Sequence, residues 1–338
     1  KDAGGVRTAG AGQGESSGEG DVVARIGLSW QRIAQLIPLL IGITIVTFLL
    51  IRLVPGDPAQ QILGDHYTPQ QAAVLDRSLG LDKSIWGQYI AFVRSAFNGT
   101  FGYSYYYKTS VGSVVGARVG PTMLLLAVSG TFTIALAVPI GVLSAIRRGG
   151  LFDQITRVVF TVGYALPGFL LGILLILLFG VKLNTAPIGG WGNGFGSHLF
   201  HLVLPGITLA IPFSTVLVRS LRASTINVLE ADFVTTARLK GISPGAVLVK
   251  HVLRNSIVSV IVVFGVNLAF LVGGTVIVEN VFSLPGLGSL LVNSVSTRDY
   301  PVVQAVALLF AVFVLLVNLL TDVIHAALDP RLARSGRV

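Results

Sequence analysis

Residues 229–255 read Leu229-Glu-Ala-Asp-Phe-Val-Thr-Thr-Ala-Arg-Leu-Lys-Gly241-Ile-Ser-Pro-Gly-Ala-Val-Leu-Val-Lys-His251-Val-Leu-Arg-Asn255, a polar interlude between two long apolar runs. Ile226, Leu229, Phe233 and Ala237 recur at spacings of three and four, as the apolar stripe of one helix does. Glu230 and Asp232 come early and Arg238 and Lys240 late, the order that the helix macrodipole favours. Gly241 can take the left-handed backbone that ends such a helix, and Ser243 followed by Pro244 suits the cap and first turn of a second. The segment is therefore expected to form a compact helical elbow. A helix lying on the membrane surface is the competing account, but such helices usually carry a strongly basic polar face. The acidic residues here fit a protein partner better.

Outward from the elbow the chain is dominated by apolar runs. Its 338 residues are 53% hydrophobic and 12% charged, with a mean hydropathy of +0.80, whereas soluble domains carry about 25% charged residues. Six segments reach the roughly 20 apolar residues that a bilayer crossing requires: 33–53, 119–146, 158–181, 199–218, 256–278 and 302–321. Within them Arg52 is the one Asp, Glu, Lys or Arg, and His201 the one histidine. The expected fold class is an all-α integral membrane protein with about six transmembrane helices. Pro139, Pro167-Gly168, Pro205-Gly206, Pro212 and Gly273-Gly274 fall inside these spans, where such residues serve as kinks or as close packing points.

The net charge of +9 does not point to nucleic acid, because the basic residues cluster beside the spans. Sixteen Lys and Arg fall on the side that holds both termini and eight on the other, so the positive-inside rule places both ends in the cytoplasm. Residues 54–118 then form the largest extracytoplasmic segment, with helix-like stretches at 69–78 and 83–97. Its aromatic cluster of Phe101, Tyr103, Tyr105, Tyr106 and Tyr107 suits a membrane interface better than a ligand site. Residues 1–24, rich in Gly and Ser, are expected to be a disordered tail without the pattern of a cleavable signal peptide, and 333–338 a short C-terminal tail. The organisation is thus a transmembrane body at 25–332 carrying a cytoplasmic loop at 223–255. Cysteine is absent, which removes disulfide and thiolate chemistry.

No Gly-x-x-x-x-Gly-Lys-Ser/Thr loop occurs, no His-Glu-x-x-His pair, and no Ser-His-acid set, so no catalytic residue is assigned. His198 and His201, three apart, could share a helical face, but no carboxylate lies near them in sequence to complete a metal site, and none is assigned. An ion-coupled carrier is the rival transporter class. Such carriers place an ionisable residue at mid-membrane, whereas Asp322 and Glu279 lie toward span ends. Asn267, Ser214, Thr215 and Gln304 are polar residues within spans, which more often bond a neighbouring helix than a ligand.

Glu230-Ala231-Asp232, followed by Ala237 and Gly241, resembles the Glu-Ala-Ala loop of permease subunits in ABC importers, with Asp232 where that motif has alanine. Val54-Pro-Gly-Asp-Pro58, Leu79-Gly-Leu-Asp82, Val278-Glu-Asn-Val-Phe-Ser-Leu-Pro-Gly-Leu-Gly288, Arg298-Asp-Tyr-Pro-Val-Val-Gln304 and Leu328-Asp-Pro-Arg331 are similar, in order, to the dipeptide, oligopeptide and nickel branch, nearest to the dipeptide permease B type. The resemblance covers roughly 31–332. It implies a type I importer permease fold with a cytoplasmic coupling helix, in the bacterial inner membrane. It also implies a second homologous permease, two ATP-binding cassette subunits that hold ATP and Mg while this chain holds no cofactor, and an extracytoplasmic substrate-binding protein. In such a machine the ATPase-coupling residues would be Leu229, Glu230, Ala231, Asp232, Phe233, Ala237 and Gly241, with Leu229 and Phe233 supplying buried contact, Glu230 and Asp232 polar registration, and Gly241 the turn that sets the lever angle. Dipeptides, oligopeptides, haem and nickel chelates remain open as substrates, since 54–118 shows no selective charge pattern.

Overall fold

Long apolar helices, antiparallel to their neighbours in sequence, make up the body of the protein. The computed structural model describes residues 37–49, 68–79, 82–104 and 106–328. The expected tails at 1–24 and 333–338, the Val54–Pro58 motif and most of Leu328–Arg331 lie outside the described residues. In chain order the helices are α1 (Ile37–Leu49), α2 (Pro69–Leu79), α3 (Ile85–Phe97), α4 (Val111–Ile146), α5 (Leu151–Ala165), α6 (Gly168–Leu175), α7 (Phe195–His201), α8 (Val203–Leu229), α9 (Asp232–Leu239), α10 (Pro244–Val247), α11 (Arg254–Val281), α12 (Leu287–Ser296) and α13 (Tyr300–Leu328). A hairpin of two-residue strands, β1 (Tyr103–Ser104) and β2 (Thr109–Ser110), pairs antiparallel just before α4.

Among the described residues four helices are long and apolar enough to cross a bilayer alone: Val111–Ile146, Val203–Leu229, Val260–Val281 and Tyr300–Ile324. α4 starts eight residues before the apolar run expected at 119, because Ser110 caps it by accepting a bond from the Ser113 amide, and its first turns pack inside the protein. The expected first span, 33–53, is described only over Ile37–Leu49, which is helical.

The expected span at 158–181 is not a single rod. α5 and α6, with a π-helical continuation over Ile176–Lys182, are bent by 107° across Leu166-Pro167. Proline disfavours helical backbone in the residue before it, and Leu166 is accordingly extended (φ −74°, ψ 130°). The two limbs nevertheless traverse the bundle. Asp153 bonds Arg222 of α8, the Phe160 carbonyl accepts from Thr215, Gly172 packs on Thr208 and Phe282, and the Gly190 amide donates to the Phe282 carbonyl. Those partners climb steadily toward the start of α8 and then to the end of α11, as one broken crossing requires.

The core joins α4, α8 and α11 through Leu125, Leu209, Leu271 and Phe282. A second cluster wedges α12 between the first turns of α4 and α13 through Val115, Leu290 and Val302. Thr215 and Asn267, polar within their spans, donate to main-chain carbonyls of Phe160 and Val263 at 2.9 and 2.6 Å.

Candidate coupling site

α8 runs out at Leu229, and Glu230 and Ala231 turn the chain before α9 begins at Asp232. Ala231 is extended (φ −75°, ψ 145°) and offers no side-chain cap, while Asp232 places a carboxylate on the first turn, where the helix dipole favours it. The far end closes on a double hydrogen bond. Gly241, at φ +77°, donates to the Arg238 carbonyl at 2.9 Å, and Ile242 donates to Ala237 at 3.3 Å. This pairing is the Schellman closure that a left-handed glycine permits. Pro244 then opens α10 as expected, although the Ser243 side chain makes no cap bond. A π-helical turn over Leu248–Leu253 joins α10 to α11.

The break at Glu230-Ala231 changes the phase of the stripe read from the sequence. Val234 (0% exposed) and Ala237 (6%) are the residues of α9 that turn inward, onto Val247 of α10 and Val252 of the π-helical turn that follows it, with Leu229 and Ile242 packed beside them. Phe233 is 46% exposed and Leu239 84%. Val234 therefore holds the elbow to its own chain, while Phe233 and Leu239, about 120° apart around the helix, are left as open apolar side chains on either flank. Burying a valine in this way is worth about 1.5–3 kcal/mol. Glu230 meets Arg148 of the α4–α5 turn at 2.7 Å, an exposed pair that aligns the two loops more than it stabilises them.

Two turns before the elbow, Arg222 makes a fork of bonds to Asp153 at 2.6 and 2.7 Å. Asp153 is fully buried and also accepts from Ser144 (2.6 Å) and the Gly149 amide (3.0 Å). One carboxylate thus ties the end of α4, the start of α5 and the shaft of α8. Sequence reading counted Arg222 only as a topological charge and passed over Asp153. The available signal was an acid in the first turn of a helix behind the pair Gly149-Gly150.

A second buried carboxylate occupies the opposite end. Glu279, 1% exposed, accepts from Thr122 Oγ1 at 2.6 Å and from the Ser289 amide at 3.0 Å. Thr122 in turn accepts from the Leu287 amide at 2.8 Å, so α12 is tied to both α4 and α11. Gly286 leaves room for the carboxylate, since a Cβ there would come within 2.2 Å of it. Nearby, the Ser104 hydroxyl of the hairpin donates to Asp299, whose carboxyl is held above the usual aspartate range by burial, with the serine bond opposing. His198 stacks on Trp191 at 4.3 Å and bonds its carbonyl, while His201 bonds the Ser197 carbonyl, so each imidazole has its own local partner. No group of three or more metal-ligating side chains exists among the described residues.

A bundle with a broken crossing and a cytoplasmic-type elbow defines a class of membrane permease, and comparison with known proteins fixes the family. Residues 137–334 match the family of binding-protein-dependent transport system inner membrane components, and residues 28–127 its N-terminal companion. The chain belongs to this family. It is 37% identical over 300 residues to the glutathione transport system permease protein GsiC of Escherichia coli K12, covering 89% of this chain and 96% of that one. It is 34% identical over 305 residues to a probable peptide ABC transporter permease of Sinorhizobium fredii (89% and 97%) and 37% identical over 302 to a putative peptide permease of Brucella suis (87% and 95%). The fold matches that of the MetNI methionine ABC transporter in an inward-facing conformation, with a TM-score of 0.54 at 19% identity over 64% of this chain and 96% of that one. The protein is thus a multi-pass inner-membrane permease subunit with the type I ABC importer fold.

Proposed function

We propose that this chain forms half of the translocation pathway of an ATP-driven importer of di- and oligopeptides, and that α9 transmits ATPase motion to it. The carrying observation is that Phe233 and Leu239 are left exposed on a short helix that is closed at Gly241 and held to its own chain through Val234 on Val247 and Val252. An apolar face on a rigid, charged helix is what a groove on a partner subunit recognises. Leu229 and Ala237 brace the lever from behind, Asp232 registers it, and Glu230 links it to Arg148. A second permease, two ATP-binding cassette subunits holding ATP and Mg, and an extracytoplasmic binding protein complete the assembly, with both termini of this chain cytoplasmic. The peptide assignment is supported by relatives named for peptides and for glutathione, itself a small peptide.

The decisive experiment reconstitutes the copurified complex in proteoliposomes and measures ATP-dependent uptake of a peptide panel beside haem and nickel chelates. Phe233→Asp should abolish ATPase association, and Gly241→Val should leave association but uncouple hydrolysis from uptake. If both variants assemble and transport like the parent, the lever assignment is wrong. Uptake of haem or nickel alone would overturn the peptide assignment.

A further inference from the structure

Outside the coupling site, α3 stands apart in the segment between α1 and α4. One of its sides is fastened to α1. Tyr89 shares a 2.8 Å hydrogen bond between its hydroxyl and that of Thr44, and Phe48 packs edge-on against Tyr89 at 5.4 Å and against Phe92 at 6.1 Å. The other side carries Trp86, Ile90 and Phe97, exposed by 72%, 62% and 88%. At about 100° per residue these three fall within an arc of about 40°, one continuous apolar stripe.

We propose that this stripe is seated in the lipid bilayer, at the headgroup boundary on the side toward which α1 runs. Depth decides between lipid and a protein partner. Thr44 lies five residues before Leu49, the last described residue of α1, which at 1.5 Å per residue is about 7.5 Å of helix. α1 contains no charged residue, and its Ile41, Val46 and Leu49 are exposed as lipid-facing side chains are. A helix bonded at that depth lies beside the crossing rather than above it, so whatever meets its outward face is membrane. The charges agree. α3 holds no acid, and Lys83 and Arg94 stand at its ends, placed to reach anionic headgroups while the rings rest below. Tryptophan near a helix end is the usual interfacial anchor.

Because the chain has no cysteine, single labels can be read without background. Ile90→Cys and Phe97→Cys on the stripe, with Lys108→Cys as an aqueous reference, are spin-labelled in the full chain with its copurifying subunits. The samples are held in nanodiscs of phosphatidylethanolamine and phosphatidylglycerol. Collisions with oxygen should exceed those with a water-soluble nickel chelate several-fold at 90 and 97, and the order should reverse at 108. Nickel collisions at 90 and 97 equal to those at 108 would mean the stripe faces water, and weak collisions with both reagents would mean a protein covers it. Either result overturns the proposal. Should a cysteine variant fail to assemble, brominated-lipid quenching is compared between the parent and Trp86→Phe. Loss of a quenched component in Trp86→Phe supports the lipid contact, and unchanged quenching refutes it.

Discussion

Thr122 and Glu279 stand 157 residues apart in sequence and 2.6 Å apart in space, in a site closed to solvent. The threonine hydroxyl donates to the carboxylate and accepts from the Leu287 amide, so it relays one helix start to another helix's acid. Thr122→Val keeps the shape and removes both bonds, which strands the Leu287 amide. A buried unsatisfied donor costs about 1–3 kcal/mol. The variant should melt earlier in detergent than Asn280→Ala, which lies one residue from Glu279 on the exposed side.

Gly286→Ala should damage the same site from the other direction, because the new methyl would overlap the Glu279 carboxylate. The backbone at Gly286 (φ −105°) is open to any residue, so the effect would come from the collision alone. Proteolysis of the α12 region should accelerate in this variant, and pairing with Glu279→Ala should restore part of the protection, since the overlapping atoms are then gone.

Arg222 and Asp153 should show the non-additivity of a buried ion pair. Arg222→Ala takes from a fully buried carboxylate its hydrogen-bonded cation and leaves only Arg157 at 4.0 Å, a change approaching the roughly 3–5 kcal/mol of a broken buried pair. Arg222→Lys recovers only part, since an ammonium cannot reproduce the two-pronged contact. The double variant Asp153→Asn with Arg222→Met should be less damaged than Arg222→Ala, as read by yield of folded protein and thermal midpoint.

Acidification should tighten the hairpin. Asp299 is buried against Ser104, and its carboxyl titrates above the usual aspartate range chiefly because of that burial. Such a group stabilises the fold fully at pH below its unfolded value and ceases to do so as pH climbs through its folded value. Deuterium uptake over residues 103–112, corrected for intrinsic exchange, should therefore slow as pH falls from neutral toward the ordinary aspartate range. Asp299→Asn should flatten that dependence.

Val234→Ala and Phe233→Ala separate the two faces of α9. The first opens a cavity among Ala237, Val247 and Val252 and should lower the melting temperature of the subunit alone. The second removes a half-exposed ring and should leave that temperature nearly unchanged while weakening ATPase association in pull-down.

Hydrophobic runs made the crossings legible, because a bilayer demands length and apolarity that no soluble segment of this chain matches. The elbow was legible too, since Gly241 and Pro244 act through their own backbones and need no distant partner. What escaped were features set by non-local contact. Glu279 and Thr122, or Asp153 and Arg222, are unremarkable in sequence and meet only once α4, α8 and α11 are packed. The inward seat of Val234 on Val247 and Val252 escaped in the same way, because it depends on how the chain turns at Glu230-Ala231.

The corner at Leu166-Pro167 carries a last implication. Where α5 stops and α6 starts, the final carbonyls and first amides have no partner within their own helices. Tyr164, Ala165, Pro167 and Phe169 around that corner are exposed on this chain. Acyl chains cannot solvate such groups, each left bare costing several kcal/mol. The corner must therefore open onto hydrated space or lie under another polypeptide, and ordinary lipid is ruled out as its neighbour.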